Sequence, residues 1–202
     1  IQNVKIGEVA DHPYPSLTKN YHYEAELVAA LKMGGKNIPV DKALDHVFGY
    51  AVGLDMTRRD LQRAAGDEKK PWEIGKSFDR SAPIGPIVPA KDVAHADKGA
   101  ITLSVNGKEH QRGDLSDLIW SVPETIAYLS RLFELRPGDL IYTGTPEGVG
   151  PVVVGDLMVG KIDGVDVELE LLQRLIGEGA SGEVALDLPS CDLTLDFLNS
   201  HS

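Results

Sequence analysis

Hydrophobic and polar residues alternate over 21–31, the two-residue period of a strand. Tyr21, Tyr23, Ala25, Leu27 and Ala29 fall on one face, and His22, Glu24, Glu26, Val28 and Ala30 on the other. Both carboxylates therefore point the same way. Met33-Gly34-Gly35-Lys36-Asn37 predicts a turn, 40–47 a short helix starting near Asp41, and the apolar run 48–54 a buried strand. Thr57 and Asp60 have the spacing of a helix N-terminal capping box, which puts Asp55 where strand gives way to helix. Across 78–90, Pro83, Pro86 and Pro89 exclude an interior helix or a central strand and predict an extended, structured loop.

Residues 101–105 read as a strand, Asn106-Gly107 as a tight hairpin turn and 109–112 as the return strand. Over 122–135, Ile126, Leu129, Leu132 and Phe133 recur at helical spacing until Arg136-Pro137-Gly138-Asp139 stops them. A strand over 140–143 and a glycine-rich loop over 144–150 follow, then short strands at 152–154, 157–162 and 165–172. Residues 193–198 have the pattern of a short helix. Short strands dominate, so the fold class is α+β with mostly β content. No internal repeat or low-complexity tract interrupts it.

The 202 residues suffice for one domain with a sizeable core, and 42% hydrophobic with 25% charged residues is the composition of a globular chain. A formal charge of -11 opposes both a phosphate backbone and an anionic lipid surface. No apolar run is long enough to span a bilayer. Neither nucleic acid nor membrane is expected as a partner. Cys191 is the single cysteine, which excludes an internal disulfide and favours a cytoplasmic address. No basic-then-apolar signal segment follows Ile1, although a first residue other than Met leaves upstream residues open.

Two carboxylates two residues apart on one strand face repel each other, and Glu24 and Glu26 admit two readings. They mark a solvent-facing strand edge, or a hard divalent cation neutralises them, with Asp55 as a third oxygen ligand. Arg59 and Gln62 share a helix face just after Asp55, where they are either solvated or placed to bind a carboxylate. Gly177-x-Gly179-x-x-Gly182 spells a dinucleotide fingerprint but lacks room for the βαβ unit that gives it meaning. The loop 144–150 lacks the Lys-Ser/Thr ending of a P-loop, there is no Gly-x-Ser-x-Gly elbow, and the six histidines form no His-x-x-x-His pair. His22, beside the acid pair, reads as a packing residue or a support for it.

Four blocks in order carry a further signal: Tyr21-His22-Tyr23-Glu24-Ala25-Glu26-Leu27; Gly49-Tyr50 with Leu54-Asp55-Met56-Thr57-Arg58-Arg59-Asp60-Leu61-Gln62; Lys76-Ser77-Phe78-Asp79; and Pro137-Gly138-Asp139-Leu140-Ile141-Tyr142-Thr143-Gly144-Thr145-Pro146-Glu147-Gly148-Val149-Gly150. Together, over about Tyr14 to Val167, they resemble the catalytic domain of the fumarylacetoacetate hydrolase family, above all its acylpyruvate and fumarylpyruvate hydrolase members. The resemblance implies a fold of short mixed strands with few helices. It also implies Glu24, Glu26 and Asp55 as ligands of Mg²⁺ or Mn²⁺, with Ca²⁺ a further hard cation. Lys76 and Gln62 would be catalytic and contact a small 2-oxo acid substrate, with Arg59 and Thr145 lining the same pocket.

By the same resemblance, residues 1–176 form the catalytic domain, 177–202 a divergent tail, and the protein is a cytoplasmic homodimer acting in aromatic catabolism. Hydrolytic members carry a His and Glu pair on a lid upstream of the Glu-x-Glu strand. Only Glu8, Asp11 and His12 precede Pro13 here, too near the strand to correspond to it. The expected activity is cleavage of a carbon–carbon bond in a 2,4-dioxo acid. An oxaloacetate-type decarboxylase, a keto-enol isomerase and a catalytically dead 2-oxo acid binder are the alternatives.

Overall fold

The alternating stretch at the head of the chain forms two strands rather than one. Tyr21–Tyr23 and Ala25–Leu31 are separated at Glu24 and belong to different sheets. The computed structural model describes residues 1–93 and 95–174. The Gly-x-Gly-x-x-Gly run, the helix expected over 193–198 and the tail 177–202 lie outside the described residues.

Three sheets organise the described chain. In the largest, Ala25–Leu31 runs antiparallel between Val47–Leu54 and Leu140–Tyr142. The short strands Pro83–Ile84 and Val88–Pro89 border Val47–Leu54, and Gln2–Asn3 pairs with Pro83–Ile84. The second sheet runs in the order Lys108–Asp114, Ala100–Val105, Leu157–Ile162, Val165–Arg174, Val9–Pro13. In the third, Tyr21–Tyr23 is flanked by Gly150–Pro151 and Thr57–Arg58. The chain is α+β and mostly β, as expected.

The two larger sheets bury a shared apolar layer. Leu27, Ala29, Val52 and Leu54 of the first join Leu103, Met158, Leu169 and Leu171 of the second in one cluster with no solvent exposure. The layers approach so closely that a Cβ on Gly160 would lie 2.9 Å from Val52 Cγ1. On the opposite face of the first sheet, Val28, Ala51 and Ile84 pack with Leu140 and Tyr142. Ala25–Leu31 is thus covered on both faces and every residue in it is buried, which is why it contains so much alanine, valine and leucine. Glu26 shares the Val28 face and is buried with it.

Several boundaries move from their sequence-based positions. The helix expected over 40–47 is one turn, Val40–Ala43, followed by a 3₁₀ turn at Leu44–His46 and then by strand. The helix expected over 122–135 stops at Leu132. No strand forms over 152–154; the pairing falls at Gly150–Pro151 instead. The capping box of Thr57 and Asp60 does not form. The helix Arg59–Asp67 has no side-chain cap; Thr57 donates to the Asp55 carbonyl instead. Asp60 accepts from Thr18 Oγ1 (2.5 Å) and Lys19 N (2.8 Å), so a long-range contact outcompetes the local one. Pro83 and Pro89 sit in two-residue strands rather than a loop: Val88–Pro89 pairs with Val47–Leu54, whereas Pro83–Ile84 lies between Gln2–Asn3 and Val47–Leu54, so Pro83 does enter an interior strand. The bonds on the Gln2–Asn3 side run from Gln2 N to Ala82 O and from Val4 N to Ile84 O, and none calls for the N–H that Pro83 lacks. No helix among the described residues is long and apolar enough to cross a membrane.

Candidate metal and substrate site

The break at Glu24 and the end of Val47–Leu54 lie side by side, joined by Asp55 N donating to Glu24 O at 2.8 Å. Glu26 is in register with Gly53 on the neighbouring strand. A Cβ on Gly53 would lie 2.5 Å from Val28 Cγ2 and 2.6 Å from Tyr142 Cε1, so a larger residue would disturb the surface beside Glu26. One carboxylate oxygen from each of Glu24, Glu26 and Asp55 comes to within 4.8 Å of the others. Glu24 and Glu26 are only 8% and 4% exposed, which rules out the solvent-facing strand edge.

Two cations face this cluster. Lys76 Nζ donates to Glu24 Oε2 and to Asp55 Oδ2, both at 2.6 Å. The Arg59 guanidinium pairs with Glu24 Oε1 and also donates to Gln62 Oε1 at 2.6 Å. Arg59, Gln62 and Lys76 therefore stand together, and the shared helix face expected for the first two is present. The short turn Glu73–Gly75 delivers Lys76 by lying directly on the Arg59–Asp67 helix. A Cβ on Gly75 would be 2.7 Å from Gln62 Cβ and 2.9 Å from Gln62 Cα, so a side chain there would push the turn away.

Among the described residues no cation forms a salt bridge with Glu26; its Oε2 accepts from Gly144 N at 2.8 Å. Burial pushes its carboxyl up to about 7; the Gly144 N–H opposes this, and the charges of Asp55 and Glu24 add to it. Burial also raises the Asp55 carboxyl, against the pull of Lys76. Three hard oxygen donors, with the Glu26 and Asp55 carboxyls held above the ordinary carboxylate range by burial, fit a divalent cation, whose charge would favour the ionised form of both. His22 stays apart from the cluster: one ring nitrogen pairs with Asn20 Oδ1 at 2.8 Å, and burial, then the charges of Arg59 and Arg63, lowers its pKa.

Thr145 does not itself touch the acid cluster; its loop does, through Gly144. Thr143 anchors the loop by donating from Oγ1 to Leu27 O at 2.9 Å, Gly144 contacts Glu26, and Thr145 follows. Residues 143–145 help line a pocket of about 580 Å³ that also takes in Leu27, Arg112 and Trp120; Glu24, Glu26, Asp55, Arg59, Gln62 and Lys76 are not among its lining residues, so Thr145 and Arg59 do not share it. Two neighbours were not singled out from the sequence. Tyr142 stands near Glu26, with its hydroxyl donating to Pro83 O at 3.2 Å and its pKa raised by burial and by the charges of Glu26 and Asp55. Gln111 is fully buried and bonds the loop at Thr145 and Pro146. No pattern marks it in the sequence, because Lys108, Glu109, His110 and Arg112 around it are polar as well.

Residues 2–179 match the family described as Fumarylacetoacetate (FAA) hydrolase C-terminal. The chain belongs to that family. It is 50% identical over 152 residues to a fumarylpyruvate hydrolase from Ralstonia sp, covering 75% of this chain and 79% of that one. It is 40% identical over 161 residues to a mitochondrial oxaloacetate tautomerase from Oryza sativa subsp. japonica, covering 79% and 71%. Among solved structures, the fumarylpyruvate hydrolase from Pseudomonas aeruginosa in complex with Mn²⁺ and pyruvate superposes with a TM-score of 0.84. That match has 58% identity and covers 86% of this chain and 74% of that one. The family match extends beyond the 14–167 over which the sequence blocks carry the resemblance.

Proposed function

We propose that this protein is a divalent-metal-dependent hydrolase that cleaves the carbon–carbon bond of a small 2,4-dioxo acid such as fumarylpyruvate. One observation carries the reading: the buried Glu24 and Glu26 carboxylates and the half-buried Asp55 carboxylate converge beside Lys76 and Arg59 in a chain 50% identical over 152 residues to a fumarylpyruvate hydrolase. Glu24, Glu26 and Asp55 would hold Mn²⁺ or Mg²⁺, the former being the ion in the related Pseudomonas structure. When bound, the metal supplies a Lewis acid that draws charge from the 2-oxo and carboxylate oxygens of the substrate.

The chain's own groups do the rest. Lys76 offers a fixed positive charge to the oxygen on which enolate charge develops. Arg59 and Gln62, tied to each other, present N–H donors to the substrate carboxylate. Thr145 and the backbone of its loop donate to an oxygen of the pyruvyl part of the substrate. Water adds to the distal carbonyl carbon, the bond from that carbon to the methylene breaks, and the methylene takes a proton to give pyruvate.

The oxaloacetate tautomerase relatives favour a second reading, since tautomerisation needs the same enolate stabilisation but no attacking water. Purified protein with Mg²⁺ should release pyruvate from fumarylpyruvate faster than it converts enol-oxaloacetate to the keto form. The reverse order would replace the hydrolase reading with the tautomerase one.

The catalytic unit is taken as residues 1–176. Exposed Ile119, Trp120, Tyr128 and Phe133 support a homodimer. The single cysteine in the sequence fits the reducing cytoplasm, and the fumarylpyruvate substrate fits a place in aromatic catabolism.

A further inference from the structure

Gln111 lies on Lys108–Asp114, fully buried. The pairing of that strand with Ala100–Val105 slips between Glu109 and Gln111, an irregularity of the kind that re-aims a side chain. The amide spans two parts of the site. Its Oε1 accepts from Ala25 N at 3.0 Å, between the two glutamates, while Nε2 donates to Thr145 Oγ1 at 2.8 Å and Pro146 O at 2.9 Å.

These partners leave the amide a single orientation, because a backbone N–H only donates and a backbone carbonyl only accepts. Thr145 Oγ1 is therefore an acceptor toward Gln111, and its own hydrogen is left to donate elsewhere. The loop is pressed onto the same strand on either side of this contact. Gly148 has φ +93°, and a Cβ there would lie 2.2 Å from His110 O; a Cβ on Gly113 would lie 2.8 Å from Pro146 Cβ. Loop and strand meet nearly backbone to backbone, and Gln111 is the polar tie between them. Thr145 is one residue from the N–H that binds Glu26 and lines the adjacent pocket.

We infer that Gln111 is a positioning residue: by donating to Thr145 Oγ1 it turns the Thr145 hydroxyl hydrogen toward a substrate oxygen, an inference that rests on the hydrolase reading. A double-mutant cycle tests it, read both as kcat/KM for fumarylpyruvate and as pyruvate affinity with Mn²⁺ present. Gln111→Met should lower kcat/KM at least about tenfold and weaken pyruvate binding in the parent, and do the same in a Thr145→Ser background. In a Thr145→Val background, where no hydroxyl remains to be turned, its cost should fall below about threefold.

An undiminished cost in the Thr145→Val background would mean that Gln111 merely supports the loop, and would overturn the inference, as would parental kinetics for Gln111→Met. If that variant does not fold, Gln111→Glu takes its place in the same cycle with the same two outcomes; it keeps the shape and the acceptor for Ala25 but presents no amide donor to Thr145. A parent that binds pyruvate but cleaves no acylpyruvate would count against the proposed reaction alone, since the affinity cycle still reads the coupling. A parent that binds no pyruvate would overturn both.

Discussion

Lys76 touches two of the three carboxylates, and its surroundings distinguish a pocket ammonium from a surface lysine. Both contacts are 2.6 Å and its partners are largely buried, so its charge acts where water screens it little. Charge that develops on a substrate enolate should gain more from this ammonium than the ground state does. Lys76→Met is expected to lower kcat/KM at least about tenfold, roughly 1.4 kcal/mol, with Mn²⁺ affinity nearly unchanged. Steady-state kinetics and a metal titration check both halves, and parental kinetics would return Lys76 to a structural role. At this scale the motifs named Glu24, Glu26, Asp55, Arg59, Gln62 and Lys76, which the fold brings together, and Thr145, which it places one residue beyond the Gly144 N–H that binds Glu26. Gln111 was not found, because a glutamine in a hairpin strand looks the same in sequence whether it is solvated or, as here, folded inward by a strand irregularity.

Strands were easier to place than their ends. The 101–112 hairpin could be read because Asn106-Gly107 has local turn chemistry, and Val47–Leu54 because a long apolar run has few other fates. The interruption at Glu24 was not readable, since period-two alternation continues through it while the chain passes from one sheet to another. The expected cap failed for a related reason: Asp60 is taken by Thr18 and Lys19, some 42 and 41 residues away. The edge strand Val9–Pro13 carries a test of its own. His12 is buried, with one ring nitrogen 2.8 Å from Tyr21 Oη and the other 2.7 Å from Gln2 Oε1, and burial, then the Arg80 charge, lowers its pKa to about 4. The folded state therefore binds fewer protons at His12 than the unfolded state between about pH 4 and the ordinary value of 6.5. Its contribution is complete above that ordinary value and is lost as pH falls toward 4. Thermal melts of His12→Gln should lose less stability than the parent over that interval. Parallel melting curves would show that His12 does not titrate as its burial demands.

For the molecule as a whole, the mostly β class followed from the number of short apolar runs, but which sheet each joined did not. Strand pairing such as Val9–Pro13 with Val165–Arg174 links residues more than 150 positions apart, and no local pattern encodes it. That long-range assembly makes the site. The first sheet supplies Glu26, the junction between sheets supplies Glu24, the end of Val47–Leu54 supplies Asp55, and the loop after Leu140–Tyr142 binds Glu26 through Gly144 N. On the proposed reading, these three carboxylates hold a divalent cation on which cleavage depends. Protein stripped with chelator should show no fumarylpyruvate turnover and should regain it on addition of Mg²⁺ or Mn²⁺. Glu26→Ala, folded by its thermal melt, should bind metal weakly and regain no activity. Full turnover in excess chelator, or parental metal affinity in Glu26→Ala, would contradict the claim.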